Sequence, residues 1–215
     1  MRLTVYAATA AIFLLSAPAQ AQGTNHDEGT HFGLGAAFNL ATIFVLGAGG
    51  VSVVGPFSSA SILIPIDILG VVRIEPEIAF GHAEESNDDE ETDSASLIRP
   101  GIGVFFMFPL GDNAGGYVGA RGGPAINLTT DEETDPAGGT VNTTGTRIDG
   151  FFAPAFGGEY YFSKHFSLGA EIQVAFTFLG DEETDVDPGP DPANPDDSGL
   201  IVGTNALLTA RIFFF

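Results

Sequence analysis

From residue 31 onward, apolar residues recur at every second position, segment after segment. In residues 31–40 the even positions are Phe32, Leu34, Ala36, Phe38 and Leu40, and the odd ones include Gly33, Gly35, Ala37 and Asn39. A period of two gives a strand one apolar face. The same parity holds further on. Val72, Ile74, Ile78 and Phe80 alternate with Arg73, Glu75 and Glu77. Ile98, Ile102, Val104 and Phe106 alternate with Arg99, Gly101 and Gly103, and Val118, Ala120 and Ile126 with Gly119, Arg121 and Asn127. Phe152, Phe156, Tyr160 and Phe162 alternate with Ala153, Gly157 and Glu159. Leu168, Ile172, Val174 and Phe178 alternate with Gly169, Glu171 and Gln173, and Leu208 and Ile212 with Thr209 and Arg211. The pattern predicts eight strands, over 31–46, 51–66, 71–83, 95–109, 115–129, 146–163, 165–180 and 199–215.

Each strand exceeds the about 9–11 residues that a tilted strand needs to cross a bilayer. Short turns at 67–70, 111–115 and 163–164 alternate with long acidic connections. Short turns on one side and long loops on the other fit an all-β, eight-stranded, antiparallel up-and-down transmembrane β-barrel. A soluble barrel would reverse the faces, polar outward and apolar inward. A spanning sheet must close, because an open edge in lipid leaves backbone groups unpaired. Phe32, Phe80, Phe108, Tyr160, Phe162 and Phe178 sit where aromatic girdles are expected. The run Ile43–Phe57, interrupted by Gly47, Gly49, Gly50 and Gly55, reads as a tight first hairpin or as an apolar outer loop.

Charge sharpens this picture. The chain of 215 residues carries 28 acidic and 7 basic residues, a formal net charge of −21, and no Cys. Such a chain has nothing with which to neutralise nucleic-acid phosphates. The missing Cys excludes a disulfide framework, a thiol nucleophile and a Cys-ligated zinc site. Most of the acid lies in three stretches, Glu84–Asp93, Asp131–Asp135 and Asp181–Asp197. The segments between them are almost free of charge on the even-numbered face.

Residues 1–21 have the three parts of a secretory signal peptide. Arg2 is the positive start, Val5–Leu15 the apolar stretch and Ala19-Gln20-Ala21 a small-x-small cleavage site. The apolar run is well short of a spanning helix. The expected division is a signal peptide over 1–21 and a barrel over 22–215.

Gly157-Gly158-Glu159-Tyr160-Tyr161-Phe162-Ser163-Lys164-His165-Phe166-Ser167-Leu168-Gly169-Ala170-Glu171 resembles a hairpin of small outer-membrane β-barrel proteins of the OmpA/OmpX type. So do Phe32–Leu40 and the aromatic end Phe213-Phe214-Phe215. The resemblance covers the whole mature chain and implies the Gram-negative outer membrane. It names no activity. In that family the terminal Phe shares the parity of the lipid-facing residues, whereas Phe215 is odd, so a bulge or slip is expected near the end of the last strand.

Arg73, Glu75, Glu77, Arg99, Arg121, Glu159, Glu171 and Arg211 share the inward parity. Arg facing mid-depth lipid would cost about 2–4 kcal/mol. Inside, Arg and Glu can pair bidentately. Eight strands leave little lumen, so these residues read as a salt-bridged plug, with a narrow ion or small-solute channel as the alternative. Arg147 belongs near the outer rim, with Asp149.

Asp-Glu-Glu-Thr-Asp occurs at 89–93, 131–135 and 181–185, each copy in a different long loop. Clustered carboxylates suit divalent cations. A Lys-poor acidic surface also suits a saline habitat, where repulsion is screened. A third reading is an outer-membrane lipid-modifying enzyme. His82 and Ser96 flank a long loop symmetrically, with Glu84 nearby, and together resemble a base, a hydroxyl and an orienting acid. The balance favours a non-catalytic structural or interaction barrel. It is expected to be monomeric, in contact with outer-membrane lipid and possible divalent cations. No catalytic, cofactor-binding or metal-ligating residue is assigned.

Overall fold

The computed structural model describes residues 29–46, 50–54, 59–86, 92–134, 140–187 and 199–214. The expected signal peptide over 1–21 lies outside them. The strands are β1 (Thr30–Leu46), β2 (Gly50–Val54), β3 (Ser59–Leu63), β4 (Ile66–Ile68), β5 (Val72–Ser86), β6 (Thr92–Gly111), β7 (Ala114–Thr134), β8 (Thr140–Ser163), β9 (Phe166–Leu179), β10 (Glu182–Asp187) and β11 (Gly199–Phe214). No helix occurs among the described residues.

The strands pair antiparallel in the order β10-β8-β7-β6-β5-β3-β1-β11-β9, and a β8–β9 pairing closes the ring. The segments β2, β3 and β4 all pair with β1 and make one wall, and β10 continues the line of β9 against β8. The result is eight walls with short turns at one end.

Proline explains why the second wall comes in pieces. The pairs Leu63–Glu77 and Ile66–Ile74 keep one register, so Pro65 stands opposite Glu75 and Ile64 opposite Pro76. Neither proline has an N–H to give. The bonds that remain possible are made: Ile64 N–H donates to Pro76 O at 2.9 Å, and Gly33 N–H to Pro65 O at 2.8 Å. The wall is continuous in space although the ladder is interrupted. In the glycine-broken stretch, Leu46 pairs with Gly50 and Thr42 with Val54, which is the tight hairpin rather than the apolar loop.

Parity survives in three dimensions. Along Ser167–Phe176 of β9 and Gly203–Phe214 of β11, buried residues alternate with more exposed ones. Phe32, Phe106, Phe156, Phe162 and Ile172 face outward, whereas Arg73, Glu75, Arg121, Glu171 and Arg211 are fully buried. Among the described residues, which end at Phe214, the bulge expected in the last strand does not occur. From Gly199 to Ile212, β11 pairs with β9 without a shift. The irregularity lies in β1, between Asn39 and Ala41. It turns Thr42 inward, where the Asn39 amide donates to its hydroxyl. Phe213, on the odd parity of the strand, points into the barrel and Phe214 outward.

The acidic repeats depart from their expected setting. They are expected in loops, but where described they extend the strands. Asp131–Thr134 ends β7, Thr92 and Asp93 open β6, and Glu182–Asp187 forms β10. Asp93 stands opposite both Glu85 and Asp131 in the ladder. The Thr and Ser residues around them supply the β-propensity that the acids lack.

Candidate functional site

The odd-numbered residues converge in the lumen, and their charges form a connected chain. Arg73 opens the inward face of β5. Its Nε and Nη2 donate to Asp67 at 2.5 and 2.8 Å, and its Nη2 reaches Glu159 at 2.8 Å. Glu159 also accepts from Arg211 at 3.3 Å, from Ser167 Oγ at 3.2 Å and from the Tyr161 hydroxyl. Arg211 Nε meets Glu75 at 2.7 Å. Glu75 accepts from Arg121 at 2.6 Å, and Arg121 also holds Glu77 at 2.7 Å and both oxygens of Glu171 at 2.8 and 2.9 Å. The guanidinium fork makes such sharing possible, because its donors lie in one plane and leave in several directions.

Aromatic rings fill the space that the ion pairs leave. Arg121 lies over Phe105 at 4.8 Å, Arg73 over Phe213 at 5.6 Å, Arg211 over Tyr117 at 5.6 Å and Arg99 over Phe151 at 4.5 Å. Each of these four guanidiniums therefore has a π face beside it as well as a carboxylate. Two glycines make room for the rings. A Cβ on Gly157 would sit 2.3 Å from the Tyr117 ring, and one on Gly103 would sit 2.5 Å from the Phe105 ring.

The chain loosens toward the outer end. Arg99 Nη2 is 4.0 Å from Glu77 Oε1. Glu77 Oε1 and Arg99 Nε are buried without a hydrogen-bond partner. Beyond them lies a separate rim cluster, in which Asp149 accepts from Arg147 at 2.9 Å, Asn127 at 2.7 Å and the Gly180 N–H at 3.0 Å.

All eight inward charges expected from parity belong to this interior, and Arg147 does meet Asp149. Sequence reasoning misses Asp67, which it assigns to a turn. Parity places Phe105, Phe151, Tyr161 and Phe213 in the inward set without showing that they pack against the arginines, and it does not single out Tyr117. Parity carries the signal for Asp67, since that residue continues the odd set through Leu63 and Pro65. Among the described residues no group of three or more His, Asp and Glu is placed to hold a metal ion. His82 and Ser96 are directly paired across β5 and β6, on the outward face, with Nδ1 and Oγ 3.0 Å apart.

A closed eight-stranded barrel with an apolar outer wall and an ion-paired interior defines an integral outer-membrane β-barrel. This chain belongs to the outer membrane protein beta-barrel domain family, whose model matches residues 7–203. Its fold is similar to a major outer membrane protein of Thermus thermophilus, with a TM-score of 0.55 at 13% identity, covering 86% of this chain and 99% of that one. Neisserial surface protein A aligns with a TM-score of 0.49 at 15% identity, covering 86% and 97% of the two chains. The attachment invasion locus protein Ail of Yersinia pestis, solved with the heparin analogue sucrose octasulfate, aligns with a TM-score of 0.48 at 11% identity, covering 86% and 97%. Among curated proteins no sequence match was found.

Proposed function

We propose that this protein is a sealed, monomeric outer-membrane anchor, delivered through a cleaved signal peptide, that presents an acidic β-surface to the medium. One observation carries the reading: Asp67, Arg73, Glu159, Arg211, Glu75, Arg121, Glu77 and Glu171 form an unbroken chain of ion pairs inside the barrel. An ion entering the lumen would have to displace fully buried pairs, each held by charge-assisted hydrogen bonds. The interior is then a core, and its carboxylates are structural rather than catalytic. Function falls to the surfaces that meet lipid and medium. The acidic strand ends Asp131, Glu183 and Asp185 are the groups offered to divalent cations.

Planar-bilayer recording of the purified barrel, with and without millimolar Ca²⁺, tests this. The expected result is a silent bilayer from protein whose heat-modifiable gel migration proves it folded. Discrete current steps would replace the plug by the narrow-channel reading. Steps that changed with Ca²⁺ would also place the cation's action on conduction.

A further inference from the structure

The outward wall carries a hydrogen-bonded polar pair at the edge of its apolar band. His82 on β5 and Ser96 on β6 are register partners, and His82 Nδ1 lies 3.0 Å from Ser96 Oγ. Both belong to the even-numbered outward set. Below them on the same face come Phe80 and Ile98, also partners and both exposed. On the next step upward Ser94 and Thr130 are paired, and Leu128 stands beside Ser96 on β7. The pair thus marks the line where the apolar band ends and the hydroxyl-rich and acidic strand ends begin. The edge of an outward apolar band is where a barrel wall meets the membrane interface, the level of lipid ester groups.

We propose that His82 and Ser96 form a catalytic dyad that hydrolyses carboxylic esters of lipids in the surrounding leaflet. The proposal goes beyond the anchor reading and departs from the expectation of no catalytic residue. It leaves the sealed interior untouched. The Ser96 Oγ attacks the ester carbonyl carbon while His82 takes the hydroxyl proton. The carbon–oxygen bond to the alcohol breaks, and His82 returns that proton to the leaving oxygen. Water then attacks the acyl-serine, His82 removes its proton, and the acid leaves as the proton returns to Ser96. The balance is ester plus water to acid plus alcohol, with no further reactant. The hydroxyls of Ser94 and Thr130, register partners one step away on the same face, are the donors assigned to the developing oxyanion. The apolar wall below, formed by Phe80, Ile98 and Ile102, gives the acyl chain a surface to lie along. Glu84, the candidate orienting acid, lies outside the residues whose side chains the structure describes.

The test uses the full mature barrel in vesicles of phosphatidylethanolamine and phosphatidylglycerol carrying a fluorescent acyl chain. It has two readouts, release of fatty acid and covalent labelling of Ser96 by a fluorophosphonate. Release and labelling are expected in the parent and in His165→Gln, a change at the opposite end of the barrel. His82→Gln should lower release by about 10²–10⁴-fold. Ser96→Ala should abolish labelling, with every variant retaining heat-modifiable migration. A folded parent that neither labels nor releases fatty acid overturns the proposal, as does release that persists in Ser96→Ala. Because conductance is not measured, failure here leaves the sealed-barrel reading standing, and current steps there leave this one standing.

Discussion

Arg211 and Glu75 are 136 positions apart in the chain, and they meet at 2.7 Å inside the barrel. Neither is exposed, and Glu75 also holds Arg121. The carboxylate therefore neutralises two buried guanidiniums. Glu75→Ala is expected to destabilise the barrel by about 3–5 kcal/mol, the range for removing one member of a buried pair. Replacing Glu75 and Arg211 together by Met should recover part of that loss, because the uncompensated charge is reduced. Urea unfolding in vesicles, followed by gel migration, reads both changes. A single variant as stable as the parent would mean that water reaches this layer.

Close packing makes a different demand on Gly119. A Cβ there would sit 2.0 Å from the Val104 carbonyl oxygen and 2.8 Å from the Phe105 Cα. Backbone cannot swing aside as a ring can. Gly119→Ala should therefore cost about 1–3 kcal/mol through overpacking. Gly122→Ala, whose Cβ would meet its nearest neighbour at 3.3 Å, should be milder. The same unfolding midpoints decide the order of the two.

The acidic strand ends predict that salt stabilises this end of the barrel. Glu85, Asp93 and Asp131 occupy one row across β5, β6 and β7. Directly opposed like charges destabilise a ladder. Salt at 1 M shortens the screening length to about 3 Å and should relieve them. Amide exchange over Asp93–Ala95 and Thr129–Asp131 is expected to slow between 10 mM and 1 M NaCl. Asp131→Asn should remove much of that dependence. An unchanged or opposite response would show that these carboxylates are already compensated. A stronger effect of Ca²⁺ at equal ionic strength would separate binding from screening.

How far the sequence can be read follows from which rules are local. Parity is local, so the eight walls and the inward charges Arg73 to Arg211 are legible in the chain alone. Partner choice is not local. Arg73 finds Asp67 through a neighbouring turn, but it finds Glu159 only because strand tilt brings β8 to the same height in the lumen. Alternation can mark Phe105 and Tyr117 as inward, yet not show that they face Arg121 and Arg211. Terminal parity points to an irregularity at Phe215 because it is judged from one strand. Up to Phe214 the last strand keeps its register, and the irregularity of that seam lies in β1 at Asn39–Ala41. The His82–Ser96 pairing is visible as symmetry about a loop, and register turns that symmetry into a hydrogen bond.

Proline also writes a prediction into the seam between β6 and β7. Ile98 pairs with Ile126 and Ile102 with Gly122 in one register, so Pro100 stands opposite Pro124 in the middle of the band. Neither has an N–H, and the pairings between Ile98 and Ile102 are missing from the ladder. The strands nevertheless stay close, since a Cβ on Gly123 would lie 2.3 Å from the Pro100 oxygen. The β7–β8 seam, by contrast, pairs without a break from Ala114–Tyr160 to Thr134–Thr140. Local opening follows the weakest stretch of backbone bonding. In nanodiscs, the amides of Gly122 and Ile126, which flank the gap, should exchange faster than those of Arg121 and Ala125. Pro124→Val restores a donor opposite the Pro100 carbonyl and should slow the first pair without changing the second. Equal exchange on both sides of β7 would mean that close packing and lipid protect this seam as well as hydrogen bonds do.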